Sequence, residues 1–244
     1  MQLDLRPILS SILEWNNRMN VCLAPCPVVF DLDGTLIDSA PDIHACVNAV
    51  LAQHDVPPLT LAQIRGFIGG GVDALWQKVM AAQQLPDSRK ADYIAAFMAC
   101  YKDATQLTRL FPHVDRCLNM LADRGHPLGI CTNKPLAVTQ TILAHLDLAP
   151  LFGSVIGGDS VPQRKPHPAP LRAALQELGA DPVRPRALYV GDSEFDAACA
   201  AAVPVPFLIY TQGYRHIPIQ ELPHLASFDD FSALPDLIEA HVPA

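Results

Sequence analysis

A chain of 244 residues that is half hydrophobic and carries modest charge buries a substantial core, in one domain or two, and is not a disordered polymer. A net charge of −8 argues against a nucleic-acid or anionic-membrane surface, so an anionic partner must be drawn in by a local cationic site. No apolar run approaches the ~18 residues that suggest a membrane span.

Leu3, Leu5, Ile8, Leu9, Ile12 and Leu13 lie at near-helical spacing, while Asp4 and Glu14 argue against a secretory signal. Met19 stands shortly before the first strand and is a candidate natural start, which leaves residues 1–18 as an addition; residues 1–26 as a whole read as an N-terminal extension. The seven cysteines are scattered, with no Cys-x-x-Cys and no zinc spacing. An odd count without a framework points to a reducing compartment, by default the cytoplasm.

The run from Val28 to Phe30 reads as a strand, followed by Asp31-Leu32-Asp33-Gly34-Thr35. Strand alternation puts positions i and i+2 on one face, so Asp31 and Asp33 can share a pocket at the strand's carboxyl end. Two carboxylates that close call for a cation, and a divalent metal with oxygen ligands suits them. Ser39 is then the N-cap candidate of a helix from Pro41 to about Gln53. Thr60 caps a short helix with Ile64 and Arg65. The turn Phe67-Ile68-Gly69-Gly70-Gly71 precedes a helix from Val72 to about Gln84, and another runs from about Arg89 to Thr105. Residues 39–108 hold no convincing strand and read as an inserted all-α unit.

From Phe111 the pattern alternates. Helices at Val114–Leu121, Leu136–Leu146, Leu171–Leu178, Glu194–Ala202 and Phe231–Ala240 are interleaved with strands. The strands lie at Leu128–Thr132, Ser154–Gly157, Ala187–Gly191 and Val205–Tyr210. That order predicts an α/β, mostly parallel, doubly wound sheet with right-handed crossovers.

Three later segments stand at strand ends or in the loops after them. Thr132-Asn133-Lys134 offers a hydroxyl and backbone N–H groups to a phosphoryl oxygen, or is an ordinary polar loop. In Arg164-Lys165-Pro166-His167-Pro168 the prolines can fix the direction of Lys165, which suits a transferring phosphoryl group; His167 reads as structural. In Gly191-Asp192-Ser193-Glu194-Phe195-Asp196, Asp192 can reach the site. Asp196, one helical turn on, can complete a Mg²⁺ shell directly or through water, or simply face solvent.

These four segments in this order resemble the motifs of the haloacid dehalogenase superfamily, over the chain from about residue 27 to the end. The resemblance implies a Rossmann-like core of residues 27–38 and 109–244 with strand order 5-4-1-2-3, and a helical C1-type cap over 39–108. It implies Asp31 as a nucleophile that forms an aspartyl-phosphate, and Asp33 as the acid that protonates the leaving alcohol and then activates water. It further implies Mg²⁺ on Asp31, the Asp33 carbonyl and Asp192, with Thr132 and Lys165 on the phosphoryl group. Several stretches are similar to bacterial phosphoglycolate phosphatases, among them Cys131-Thr132-Asn133-Lys134-Pro135 and Lys165-Pro166-His167-Pro168. The expected partner is therefore a small phosphoester, bound by Thr132, Asn133 and Lys165, with Arg65 and Gly70 of the cap on its carboxylate. A β-phosphoglucomutase-like isomerase and a phosphate-binding regulatory protein are the alternatives. Ala201-Ala202-Val203-Pro204 departs from the Ala-Gly-x-Pro usual after the fourth motif, which puts local backbone geometry in question.

Overall fold

A computed structural model of the chain describes residues 24–181 and 185–242. The expected N-terminal helix and the Met19 start lie outside the described residues. Six strands form a parallel sheet: β1 (Val28–Phe30), β4 (Leu128–Cys131), β5 (Phe152–Ile156), β6 (Leu188–Gly191), β7 (Phe207–Tyr210) and β8 (Ala226–Phe228). Their order is β5-β4-β1-β6-β7-β8, with Val29 of β1 level with Gly129 on one side and Tyr189 on the other. The first five core strands thus follow the expected order with β1 central. β8 is an addition at the edge, parallel to β7. Its sequence, Ala226-Ser227-Phe228, is too short to show alternation.

Helices cover the sheet: α5 (Val114–Asp123), α6 (Leu136–His145), α7 (Ala169–Glu177), α8 (Glu194–Ala202) and α9 (Leu234–His241). Val28 and Phe30 point into one apolar cluster and Val29 into the other, which includes Tyr189, Leu175 and Ala197. Strand alternation therefore divides the core into two layers. Both layers converge beneath the carboxyl end of β1.

A two-stranded antiparallel ribbon, β2 (Ile37–Asp38) with β3 (Arg109–Leu110), joins the two ends of the segment between them. That segment holds α1 (Ala40–Ala52), α2 (Leu61–Arg65), α3 (Val72–Gln83) and α4 (Lys90–Tyr101), and no strand among the described residues. Trp76, Tyr93 and Phe97 are fully or almost fully buried and pack ring against ring inside it. The cap predicted at Thr60 is present, as a capping box closed by Gln63. Two expectations fail locally. The helix expected to reach Thr105 ends at Tyr101. Asp42 on α1 accepts the N–H groups of Leu107 (3.1 Å) and Thr108 (2.7 Å) and the Thr108 hydroxyl (2.7 Å), which draws the chain away. Ser39 makes no side-chain cap; its hydroxyl donates to Asp33 instead. Downstream of α8, in the Ala202-Val203-Pro204 stretch, Pro204 has φ +27°, far from the proline ring's preferred value of about −65°.

Candidate active site

β1 ends at Phe30, so Asp31 and Asp33 lie beyond the strand and its alternation does not place them. Their convergence comes from a tight loop instead. The N–H groups of Thr35, Leu36 and Ile37 all donate to the Leu32 carbonyl, and Gly34 donates to Ile37. Gly34 adopts φ +85°, and a Cβ there would come within 2.6 Å of an Asp192 oxygen. Only glycine fits this turn at this distance from the neighbouring strand end.

Asp31 is buried, and Lys165 Nζ lies 2.8 Å from its Oδ1. Beyond that ion pair, the buried oxygen has no hydrogen-bond partner among the described residues. Lys165 also reaches Asp196 Oδ1 at 2.6 Å and Tyr189 Oη at 3.1 Å. Its backbone is gripped by the Asn133 amide, which accepts from Lys165 N–H and donates to the Lys165 carbonyl, both at 3.0 Å. The same amide nitrogen donates to Gly69 O at 2.8 Å. Asn133 thus ties the Lys165 loop to the glycine turn through its side chain. Asp196 is fully buried rather than solvent-facing. Its Oδ1 accepts from Lys165 and from Tyr189 Oη (2.7 Å), and its Oδ2 accepts from Ser193 N (3.1 Å), Ser193 Oγ (2.6 Å) and Asp192 N (3.3 Å).

Asp31, Asp192 and Asp196 place carboxylate oxygens within 4.8 Å of one another. Asp192 accepts from Thr35 Oγ1 at 2.7 Å and Tyr214 N at 2.6 Å. Burial, then the Asp196 charge, pushes the Asp31 carboxyl up to about 7 against the pull of Lys165. Burial and the Asp196 and Asp31 charges raise Asp192 well above the carboxylate range. Burial works against the Lys165 charge, but Asp196 and Asp31 outweigh it and hold the ammonium protonated. Burial opposes ionisation of Asp196 too, yet Lys165, Ser193 and Tyr189 lower its pKa. Three carboxylates against one lysine leave the cluster short of positive charge. An Asp31 oxygen partnered by Lys165 alone, beside the partly used Asp192, fits a hard divalent cation. Asp196, with five donors on two oxygens, is the least available of the three.

Above this cluster lies a pocket lined by Asp31, Asp33 and Thr132 on one side and by Ile68, Val72 and Leu75 on the other. Asp33 is held there by Ser39 Oγ at 2.5 Å and by Lys134 Nζ at 2.8 Å. Lys134 has no exposed side-chain surface and also bonds Tyr101 Oη at the end of α4. Reading the sequence did not single out the Lys134 side chain or Tyr101. The adjacency of Lys134 to Thr132 and Asn133 was the available signal. Arg65 is not brought to the pocket. It pairs with Asp38 at 3.0 Å and lies over the Tyr214 ring, half-exposed. Gly70 is not a lining residue, whereas Gly69 and Gly71 are.

Residues 28–210 match the family model of haloacid dehalogenase-like hydrolases. The chain belongs to that family. It is 50% identical over 214 residues to a phosphoglycolate phosphatase of Cereibacter sphaeroides, covering 86% of this chain and 96% of that one. It is 44% identical over 219 residues to one of Rhodobacter capsulatus, covering 89% and 98%. Among solved structures, a predicted phosphoglycolate phosphatase from Haemophilus somnus superposes with TM-score 0.80 at 31% identity, over 88% of this chain and 98% of that one. This haloacid dehalogenase-like chain is an enzyme of the phosphoric monoester hydrolase class. No helix among its described residues is long and apolar enough to cross a membrane.

Proposed function

We propose that the chain is a Mg²⁺-dependent phosphatase of small phosphoesters, 2-phosphoglycolate foremost, acting in a reducing cytoplasm. The observation that carries the reading is the buried Asp31 oxygen, 2.8 Å from Lys165 and without another partner among the described residues, in the same pocket as Asp33. Relatives named phosphoglycolate phosphatase, 44–50% identical over nearly their whole lengths, support the substrate. Residues 39–108 act as the helical cap and residues 27–38 with 109–244 as the catalytic core; residues 1–26 are an extension.

Asp31 attacks phosphorus and the ester becomes an aspartyl-phosphate, which splits one hard displacement into two. Asp33 gives a proton to the departing alcohol oxygen and then takes one from the attacking water. Lys165 stabilises charge on the transferring group, and the Thr132 hydroxyl hydrogen-bonds it. Asn133 supports Lys165 from behind. Mg²⁺, held by Asp31, the Asp33 carbonyl and Asp192, would offset the repulsion between Asp31 and an anionic ester.

The test is phosphate release from a panel of small esters, with and without Mg²⁺, beside Asp31→Asn. Preference for 2-phosphoglycolate that vanishes with EDTA and in the variant is expected. Metal-dependent release from other esters alone would discard the substrate, and no release from any ester would overturn the reaction.

A further inference from the structure

Resting on that reading, we infer that Lys134, backed by Tyr101, is the specificity residue that selects esters bearing a carboxylate beside the phosphoryl-bearing carbon. Lys134 contributes the one cationic side chain among the described residues that line the pocket. Arg65, the cation expected for this task, is spent on Asp38 instead. The wall facing Asp33 is apolar, formed by Ile43, Ile68, Val72 and Leu75. A carboxylate entering such a pocket loses its water and needs a cation there.

The position of the ammonium fits the need. It is one hydrogen bond, 2.8 Å, from the Asp33 carboxylate that serves the leaving oxygen. In a 2-phosphorylated hydroxy acid the carboxylate carbon is two bonds from that oxygen, which brings it beside the lysine. An ammonium has three donors. Asp33 and Tyr101 take two of Lys134's, which leaves one; the side chain has no exposed surface, so a substrate reaches that donor by displacing what packs against it. Tyr101 meets the ammonium with its hydroxyl, from the end of α4. That contact fixes the lysine's direction from the side of the helical segment.

The experiment compares kcat/KM for 2-phosphoglycolate with that for ethyl phosphate, which has the same carbon count and no carboxylate. Wild type, Lys134→Gln and Tyr101→Phe are measured, with thermal unfolding to check folding. Loss of the Asp33 partner is expected to slow both esters in Lys134→Gln. The ratio of the two kcat/KM values is expected to fall at least tenfold in that variant and severalfold in Tyr101→Phe. An unchanged ratio in Tyr101→Phe, together with an unchanged ratio or loss of folding in Lys134→Gln, would overturn the inference. A wild type that hydrolyses neither ester brings down the functional reading itself, a result visible before any variant is made.

Discussion

Asp196→Asn separates two roles that the carboxylate cluster allows for this residue. One is a metal ligand. The other is an anchor that holds Lys165 against Asp31. The geometry favours the anchor, because both oxygens already accept donors: Lys165 and Tyr189 on one, Ser193 and Asp192 on the other. An amide keeps one acceptor and replaces the other with a donor. Turned either way, it sets an N–H₂ group against groups that can only donate, the ammonium on one side or backbone N–H on the other. At least two buried donors then lose their acceptor, at about 1–3 kcal/mol each. Relief of repulsion with Asp31 and Asp192 offsets part of this, which leaves a loss of about 3 kcal/mol.

For a domain of this size that is a fall of roughly 6–12 °C in the unfolding midpoint. The measurement is thermal unfolding of metal-free wild type and variant near pH 6, paired with Mg²⁺ affinity by calorimetry. A lowered midpoint with metal affinity changed less than about threefold is the expected outcome. The metal-ligand role makes the opposite prediction. Removing a like charge from an empty carboxylate cluster stabilises the metal-free protein, and loss of a ligand weakens Mg²⁺ binding by tenfold or more, on the order seen for site partners. That pair of results would refute the saturation argument.

Metal affinity carries a second test. In the metal-free protein Asp31 binds a proton with a pKa of about 7, and a cation must displace it. Asp192, raised by the same burial and charges, is a second proton competitor, so affinity is expected to rise with pH through 7, with proton release at pH 6 seen as a buffer-dependent binding enthalpy. A flat affinity from pH 5.5 to 8 would contradict the assignment. Arg65→Ala should change KM for 2-phosphoglycolate by less than about threefold and stability by less than about 1 kcal/mol, because its ion pair with Asp38 is substantially exposed. A tenfold rise in KM would return Arg65 to the substrate.

The parts of the site legible in the sequence are those fixed by the doubly wound topology. Asp31, Thr132 and Asp192 each follow a parallel strand, and such a sheet brings its carboxyl ends to one rim wherever the strands fall in the chain. What the sequence hides is competition among side chains for partners. Ser39 stands where a helix cap belongs, yet its side chain is turned to donate to Asp33, and nothing local reveals it. Asp196 reads as a helix-face residue until Lys165, 31 positions away, is seen to close on it. Arg65 has the right charge for a carboxylate, but its partner Asp38 is 27 positions earlier and reaches it across the linker. Lys134 was visible as one polar letter in a loop. Its meaning depends on Tyr101, which arrives from the far end of α4. β8 escaped for a different reason: three residues carry too little periodicity to outweigh a loop.

These partnerships give the two leading carboxylates different dependencies. Each has a buried lysine at 2.8 Å, Lys165 for Asp31 and Lys134 for Asp33. Lys165 is steadied by Tyr189 on β6, Asn133 in the loop after β4 and Asp196 on α8. Lys134 is steadied by Tyr101, and Asp33 itself by Ser39 at the entrance to α1. The carboxylate proposed to attack phosphorus is thus set mainly by the core, with one tie to the helical segment through Asn133 and Gly69. The one proposed to serve the leaving group is set jointly by the core and the helical segment. Changes within α1–α4 can then retune which leaving group is accepted while leaving the surroundings of Asp31 intact. A helical segment tied to the core by the Asp38–Arg65 pair and the β2–β3 ribbon is a suitable place for substrate choice to reside.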